Sequence, residues 1–137
     1  MPTIKKYVLV LPSDPKQVVQ VEDFLEKLNT QLQLDETQYN KLLVATTEAV
    51  NNGIIHGNKR DVGKNVILTV ELNRSILSVR VDDEGPGIDP ATLPDPLAAE
   101  NLMRENGRGV FLMRSLMTEV EFKKTATGSA VIMKMPV

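Results

Sequence analysis

Apolar side chains fall along the chain in two rhythms, and the switches between them mark out its elements. Ile4 to Leu11 is a short apolar-rich run that predicts a strand. Ser13-Asp14-Pro15 then sets a capping residue ahead of a proline, the usual opening of a helix. Val18, Val21, Phe24, Leu25, Leu28 and Leu32 recur at helical spacing behind it. Asp35-Glu36-Thr37-Gln38 opens a second helix, with Asp35 able to cap and Gln38 able to reach back. Tyr39, Leu42, Leu43, Thr46, Ala49, Val50, Gly53 and Ile54 form its broad stripe, and glycine should stop it near His56 or Gly57.

Beyond a polar stretch the rhythm changes to alternation. Val66 to Leu72 and Ile76 to Asp82 flank Asn73-Arg74-Ser75 and predict an antiparallel hairpin. From Asp83 to Asn106 the pattern dissolves among Pro86, Pro90, Pro94 and Pro96, and a compact domain rarely keeps so long a loop without a task for it. Periodicity returns as a helix from Gly109 to about Met117, followed by strands Glu119 to Lys124 and Ala130 to Met135. Too few alternating βα units exist for a doubly wound sheet. The fold class predicted is therefore α/β, or α+β: a two-layer sandwich with a mixed, mostly antiparallel sheet and helices on one face.

The chain has 137 residues, enough for one domain with its own core. It has no cysteine, which removes disulfides, thiolate metal sites and cysteine nucleophiles. Sixteen basic residues against 18 acidic ones give a net charge of −2, so no direct contact with nucleic acid is expected. The only apolar run near the start, Val8 to Leu11, is too short for a membrane span or signal peptide, and a cytoplasmic protein is expected.

Four short segments carry candidate chemistry. In Thr47-Glu48-Ala49-Val50-Asn51-Asn52, Glu48 and Asn52 are four apart on one helix face, where a carboxylate and an amide oxygen can hold Mg²⁺ and its waters. An ordinary solvated polar pair has the same spacing. Asp83-Glu84-Gly85-Pro86-Gly87-Ile88 follows a hydrophobic strand, and Asp83, an acceptor, suits an exocyclic amino group such as that of adenine. A plain turn is the alternative. Asn106-Gly107-Arg108-Gly109 precedes a predicted helix, whose N–H groups can face phosphate oxygens, or it only turns the chain into that helix. Thr127-Gly128-Ser129 reads by itself as a hairpin turn.

Other chemistries find less support. A Walker-type phosphate loop ending at Gly63-Lys64 would need glycine at Asn58 and a hydroxyl residue at Asn65. The single histidine, His56, has no cysteine or second histidine with which to share zinc. No Gly-x-Ser-x-Gly occurs, and the methionines fall at positions that read as core.

In order, the four segments resemble the N box and three glycine boxes of the GHKL ATPase superfamily. Within it, Glu48-Ala49-Val50-x-Asn52 with Ile54-Ile55-His56-Gly57 is most similar to the small anti-sigma factor serine kinases. The resemblance spans roughly Leu42 to Met135 and implies one histidine-kinase-like ATPase domain over 1–137, with an ATP lid at about 88–106. It implies ATP and Mg²⁺ as cofactors, with Asn52 as metal ligand and Glu48 as proton acceptor from the attacking hydroxyl. Asp83 would take the adenine amino group, with Gly85, Gly87 and Ile88 shaping its pocket. Gly107, Gly109 and Val110 would close on the triphosphate. Where the family often has an arginine this chain has Glu105, which leaves Arg104 and Arg108 as phosphate candidates. Ser129 stands where the family usually has threonine and keeps the hydroxyl.

The function so implied is an anti-sigma factor that transfers the γ-phosphoryl of ATP to a serine of an antagonist protein. Its partners would be a sigma factor and that antagonist, with a possible homodimer. The alternative is a non-catalytic ATP-binding module that switches a regulatory protein interaction.

Overall fold

A computed structural model describes residues 4–86 and 105–137. Strand β1 (Ile4–Pro12) is followed by a 3₁₀ turn (Pro15–Val18) and helix α1 (Val19–Leu32). Helix α2 (Glu36–Asn52) comes next and runs on into a π-helical turn (Gly53–Gly57). The hairpin β2 (Asn65–Asn73) and β3 (Ile76–Asp83) leads to α3 (Glu105–Leu116), then β4 (Glu119–Lys124) and β5 (Ser129–Pro136). One five-stranded sheet results, in the order β1-β2-β3-β5-β4.

The helix starts follow the local chemistry read from the sequence. The Asp14 side chain accepts from Lys16 N at 3.0 Å, with Pro15 in the first turn. At α2 the box closes both ways: Gln38 N donates to Asp35 Oδ1 at 2.7 Å and Asp35 N to Gln38 Oε1 at 3.3 Å. A cap of this kind contributes about 1 kcal/mol. Helix α3 departs from expectation, starting at Glu105 rather than Gly109, so Gly107 and Gly109 lie inside its first turns. Glycine weakens a helix by about 1 kcal/mol relative to alanine, a penalty that packing against α2 offsets here.

The sheet also differs in one respect from the mixed arrangement predicted, since each of the four strand pairings is antiparallel. β3 and β4 do run in the same direction, joined through α3. β5 is inserted between them and pairs with both, so the two parallel neighbours never meet.

Alternation along the strands decides which face the helices cover. Val66, Leu68 and Val70 of β2, Leu77, Val79 and Val81 of β3, and Met133 and Met135 of β5 are buried beneath the helices. They pack with Val21, Leu25 and Leu28 of α1, Leu42, Ala45, Ala49 and Val50 of α2, and Val110 and Met113 of α3. The outward residues, such as Val8, Val10 and Ile67, are exposed. Near the end of β3 this parity separates two consecutive aspartates. Asp82 faces outward, held by Arg80 through Nε–Oδ2 at 2.9 Å and Nη2–Oδ1 at 3.0 Å. Asp83 takes the helix-side position, opposite Ser129 of β5. Among the described residues no helix is long and apolar enough to cross a membrane.

Candidate functional site

The site forms where α2, its π-helical continuation, the end of β3 and the start of α3 meet. Glu48 and Asn52 project from the last turns of α2 toward α3. Gly109 of α3 lies directly over them, and a Cβ added there would stand 3.0 Å from Glu48 Oε2 and 3.1 Å from Asn52 Nδ2. Without a side chain at 109, both polar groups keep space in front of α3. Asn52 is only 8% exposed, and its Nδ2 has no hydrogen-bond partner among the described residues. Buried amides are nearly always satisfied, so an unpaired one suggests that its partner is a ligand. The start of α3 belongs to the same region.

Asp83 is half-buried and held by its neighbours. Its Oδ1 accepts from the Ser129 hydroxyl at 2.7 Å and from Gly85 N at 2.8 Å. Burial pushes its pKa above the ordinary carboxylate range and the nearby Asp82 charge adds to this, while the two hydrogen bonds oppose it. Ser129 is 5% exposed, and its hydroxyl aims the carboxylate.

Three glycines bring other chain segments against Asp83. A Cβ on Gly57 would lie 2.5 Å from Asp83 Cγ, and one on Gly128 would lie 2.0 Å from the Asp83 carbonyl oxygen. One on Gly85 would meet the Gly57 carbonyl oxygen at 2.0 Å. Gly53 approaches as well, with its added Cβ 3.6 Å from Asp83 Cβ. The backbone that continues α2 beyond Asn52 therefore runs alongside Asp83, which puts the aspartate and the Glu48–Asn52 pair on the same side of the sheet.

Most of the residues singled out in the sequence converge here. Glu48, Asn52 and Gly109 meet at one end, and Asp83, Gly85 and Ser129 at the other. Gly107 lies in the first turn of α3, and Arg108 beside it is exposed. Val110 is 2% exposed and turns its side chain into the core, so only its backbone is available to a ligand. Gly87, Ile88, Arg104 and nearly all of the expected lid lie outside the described residues. Gly57 and Gly128 belong to segments that carry the resemblance, but neither was named as a site residue, because contact with a distant aspartate leaves no local signal.

The sequence profile of the histidine kinase-like ATPase domain matches residues 11–135. The chain belongs to that family. As a histidine kinase-like ATPase it is similar to the anti-sigma F factor of Clostridium perfringens (strain SM101), 32% identical over 107 residues, 74% of this chain and 76% of the relative. The anti-sigma F factor of Thermoanaerobacter sp. (strain X514) is 33% identical over 109 residues, 75% of this chain and 73% of that one. The serine-protein kinase RsbW of Listeria innocua is 25% identical over 135 residues, 94% and 86% of the two chains. Among solved structures, the histidine kinase domain of a blue-light activated kinase from Erythrobacter litoralis superposes with a TM-score of 0.54 over 91% of this chain. At 17% identity that likeness speaks for the fold, and the chain spans 61% of that domain's length. This ATPase is thus a GHKL protein related to the anti-sigma factor kinases.

Proposed function

We propose that this chain is an ATP-dependent protein serine kinase that acts as an anti-sigma factor, moving the γ-phosphoryl of ATP to a serine of an antagonist protein. The observation that carries the reading is the convergence of Glu48, Asn52 and Gly109 on the same side of the sheet as the glycine-caged Asp83. The relatives' names supply a sigma factor as the partner and protein serine as the acceptor; the antagonist comes from the resemblance of the motifs.

In this reading Asp83 binds the adenine amino group. Oδ1 is engaged by Ser129 and Gly85, and the second carboxylate oxygen is the one left to accept from adenine, while glycine at 57 lets the chain lie against the carboxylate without displacing it. Guanine presents a carbonyl where adenine presents a donor. A site that hydrogen-bonds one group and not its replacement discriminates by an amount of order 10⁴.

Asn52 fits Mg²⁺ as an oxygen ligand, and its buried, unpaired Nδ2 would find a phosphate oxygen beside the metal. Bound there, the ion would neutralise charge that develops on the phosphoryl oxygens. Glu48, one turn back, accepts the proton of the attacking serine hydroxyl, a step worth typically ~10² to 10⁴ in rate. The N–H groups opening α3 face the phosphates and supply fixed positive ends of dipoles.

The test is phosphoryl transfer from labelled ATP with Mg²⁺ and candidate antagonist proteins. Transfer to serine that disappears in Glu48→Gln, with ATP affinity kept, is the expected result. Intact ATP binding with no transfer to any antagonist would instead support a non-catalytic switch module.

A further inference from the structure

Asn58 is a buried polar residue that no step above uses, and its hydrogen bonds converge on the adenine end of the site. It is 1% exposed. Its Oδ1 accepts from Glu84 N at 2.7 Å, and its Nδ2 donates to Asn65 O at 3.0 Å and to Ser13 Oγ at 2.8 Å. Its own N–H closes the π-helical turn on the Gly53 carbonyl at 2.8 Å. Ser13, fully buried, passes the chain of bonds on to Lys64 O at 2.7 Å.

Resting on the ATP-site reading above, we infer that Asn58 is a positioning residue that holds together the two segments packed at the adenine end of the site and so fixes the Asp83 carboxylate in place. One segment carries Gly57, the residue immediately before Asn58, whose bare Cα lies against that carboxylate. The other carries Asp83 itself, immediately before the Glu84 amide that the Asn58 side chain holds. A single carboxamide therefore joins the segment that leaves α2 to the segment that leaves β3, with the Asp83 carboxylate between them. Glu84 adds a second tie, accepting from Asn65 N at 2.7 Å. The backbone after Asn58 also needs such an anchor, because Lys59 and Arg60 both adopt left-handed conformations, with φ of 52° and 60°. Two successive non-glycine residues in that region persist only where their surroundings hold them.

The experiment is calorimetric titration of MgATP and MgGTP into the full chain and three variants: Asn58→Ala, Ser13→Ala and Leu28→Ala. Leu28→Ala opens a cavity in α1, away from the site, and controls for lost stability as such. Asn58→Ala is expected to lower ATP affinity by about tenfold or more, as for lost buried hydrogen bonds, and to shrink the preference for ATP over GTP. Ser13→Ala, which removes one of the partners, should move both in the same direction by less, while Leu28→Ala leaves both unchanged. Exchange of the Glu84 amide hydrogen should quicken in Asn58→Ala. Wild-type affinity and ATP preference in a folded Asn58→Ala would overturn the inference. If that variant does not fold, unchanged binding in Ser13→Ala would do so. Absence of ATP binding in the unaltered chain would instead defeat the functional reading itself, and this inference with it.

Discussion

Replacing Asp83 by asparagine separates what this residue does for binding from what it does for folding. The change is nearly isosteric, and an amide oxygen at the Oδ1 position still accepts from Ser129 Oγ and Gly85 N, so both observed bonds survive. The other carboxylate oxygen becomes an NH₂ donor pointed at the adenine amino group, itself a donor. Losing one hydrogen bond to a charged acceptor costs about 1.5–3 kcal/mol, or roughly 10- to 150-fold in affinity before the donor–donor conflict is counted. Stability should move the other way. Burial raises the Asp83 pKa, so the folded state binds an extra proton between the ordinary carboxylate value and the raised one. Stability conferred by that proton falls as pH rises through the window, and the ionised carboxylate weighs against the fold at all higher pH. Asp83→Asn removes this, and in nucleotide-free protein at pH 7 to 8 its unfolding midpoint should equal or exceed that of the unaltered chain. Calorimetric titration with MgATP and thermal unfolding of the same samples read both effects. Unchanged ATP affinity would refute the adenine assignment, and a collapsed midpoint would refute the view that the carboxylate is held at a cost.

Other positions yield similar separations. Gly109→Ala gains helix propensity of about 1 kcal/mol but puts a Cβ 3.0 Å from Glu48 Oε2, so thermal stability should hold or rise while phosphoryl transfer falls. Gly57→Ala drives a methyl into the Asp83 carboxylate, which must swing off Ser129 or Gly85; circular dichroism should show a folded protein whose ATP titration is flat. Asn52→Ala removes a buried donor whose lack of a partner costs about 1–3 kcal/mol, so its unfolding midpoint should not drop, and its ATP affinity should become the same with Mg²⁺ as with EDTA.

The sequence was readable where short-range chemistry decides the outcome. The Asp35–Gln38 box lies within one turn, and the β2–β3 hairpin follows from alternation and a two-residue turn at Arg74-Ser75, with Arg74 at φ 58°. Bounds of β4 matched for the same reason. Where tertiary contact decides, the reading failed. Gly107 and Gly109 look like helix breakers, yet α3 runs through them because the bare face of Gly109 lets α2 and its polar pair come close. The π-helical winding of Gly53–Gly57 has no local cause in its residues and accompanies the approach of Gly53 to Val66 and Asp83. The candidate site can be read in the sequence only as four separated segments, and the closeness of Gly57 and Gly128 to Asp83 depends on loops closing across much of the chain. The bond from the Ser129 hydroxyl to the Asp83 carboxylate is likewise a partnership that spacing along a sequence does not express.

The outward Arg80–Asp82 clasp has a consequence for how this protein can change over generations. Two adjacent aspartates differ only in which way the pleat turns them, so a single-residue deletion within β3 would exchange their faces and turn Asp82 toward the helices. The guanidinium grips one of the pair with two prongs and leaves the other on the helix side, where adenine binding is proposed. Length variation in descendants should therefore accumulate at the Arg74-Ser75 bend or after Asp83, and the stretch between them should keep its residue count even where its letters drift.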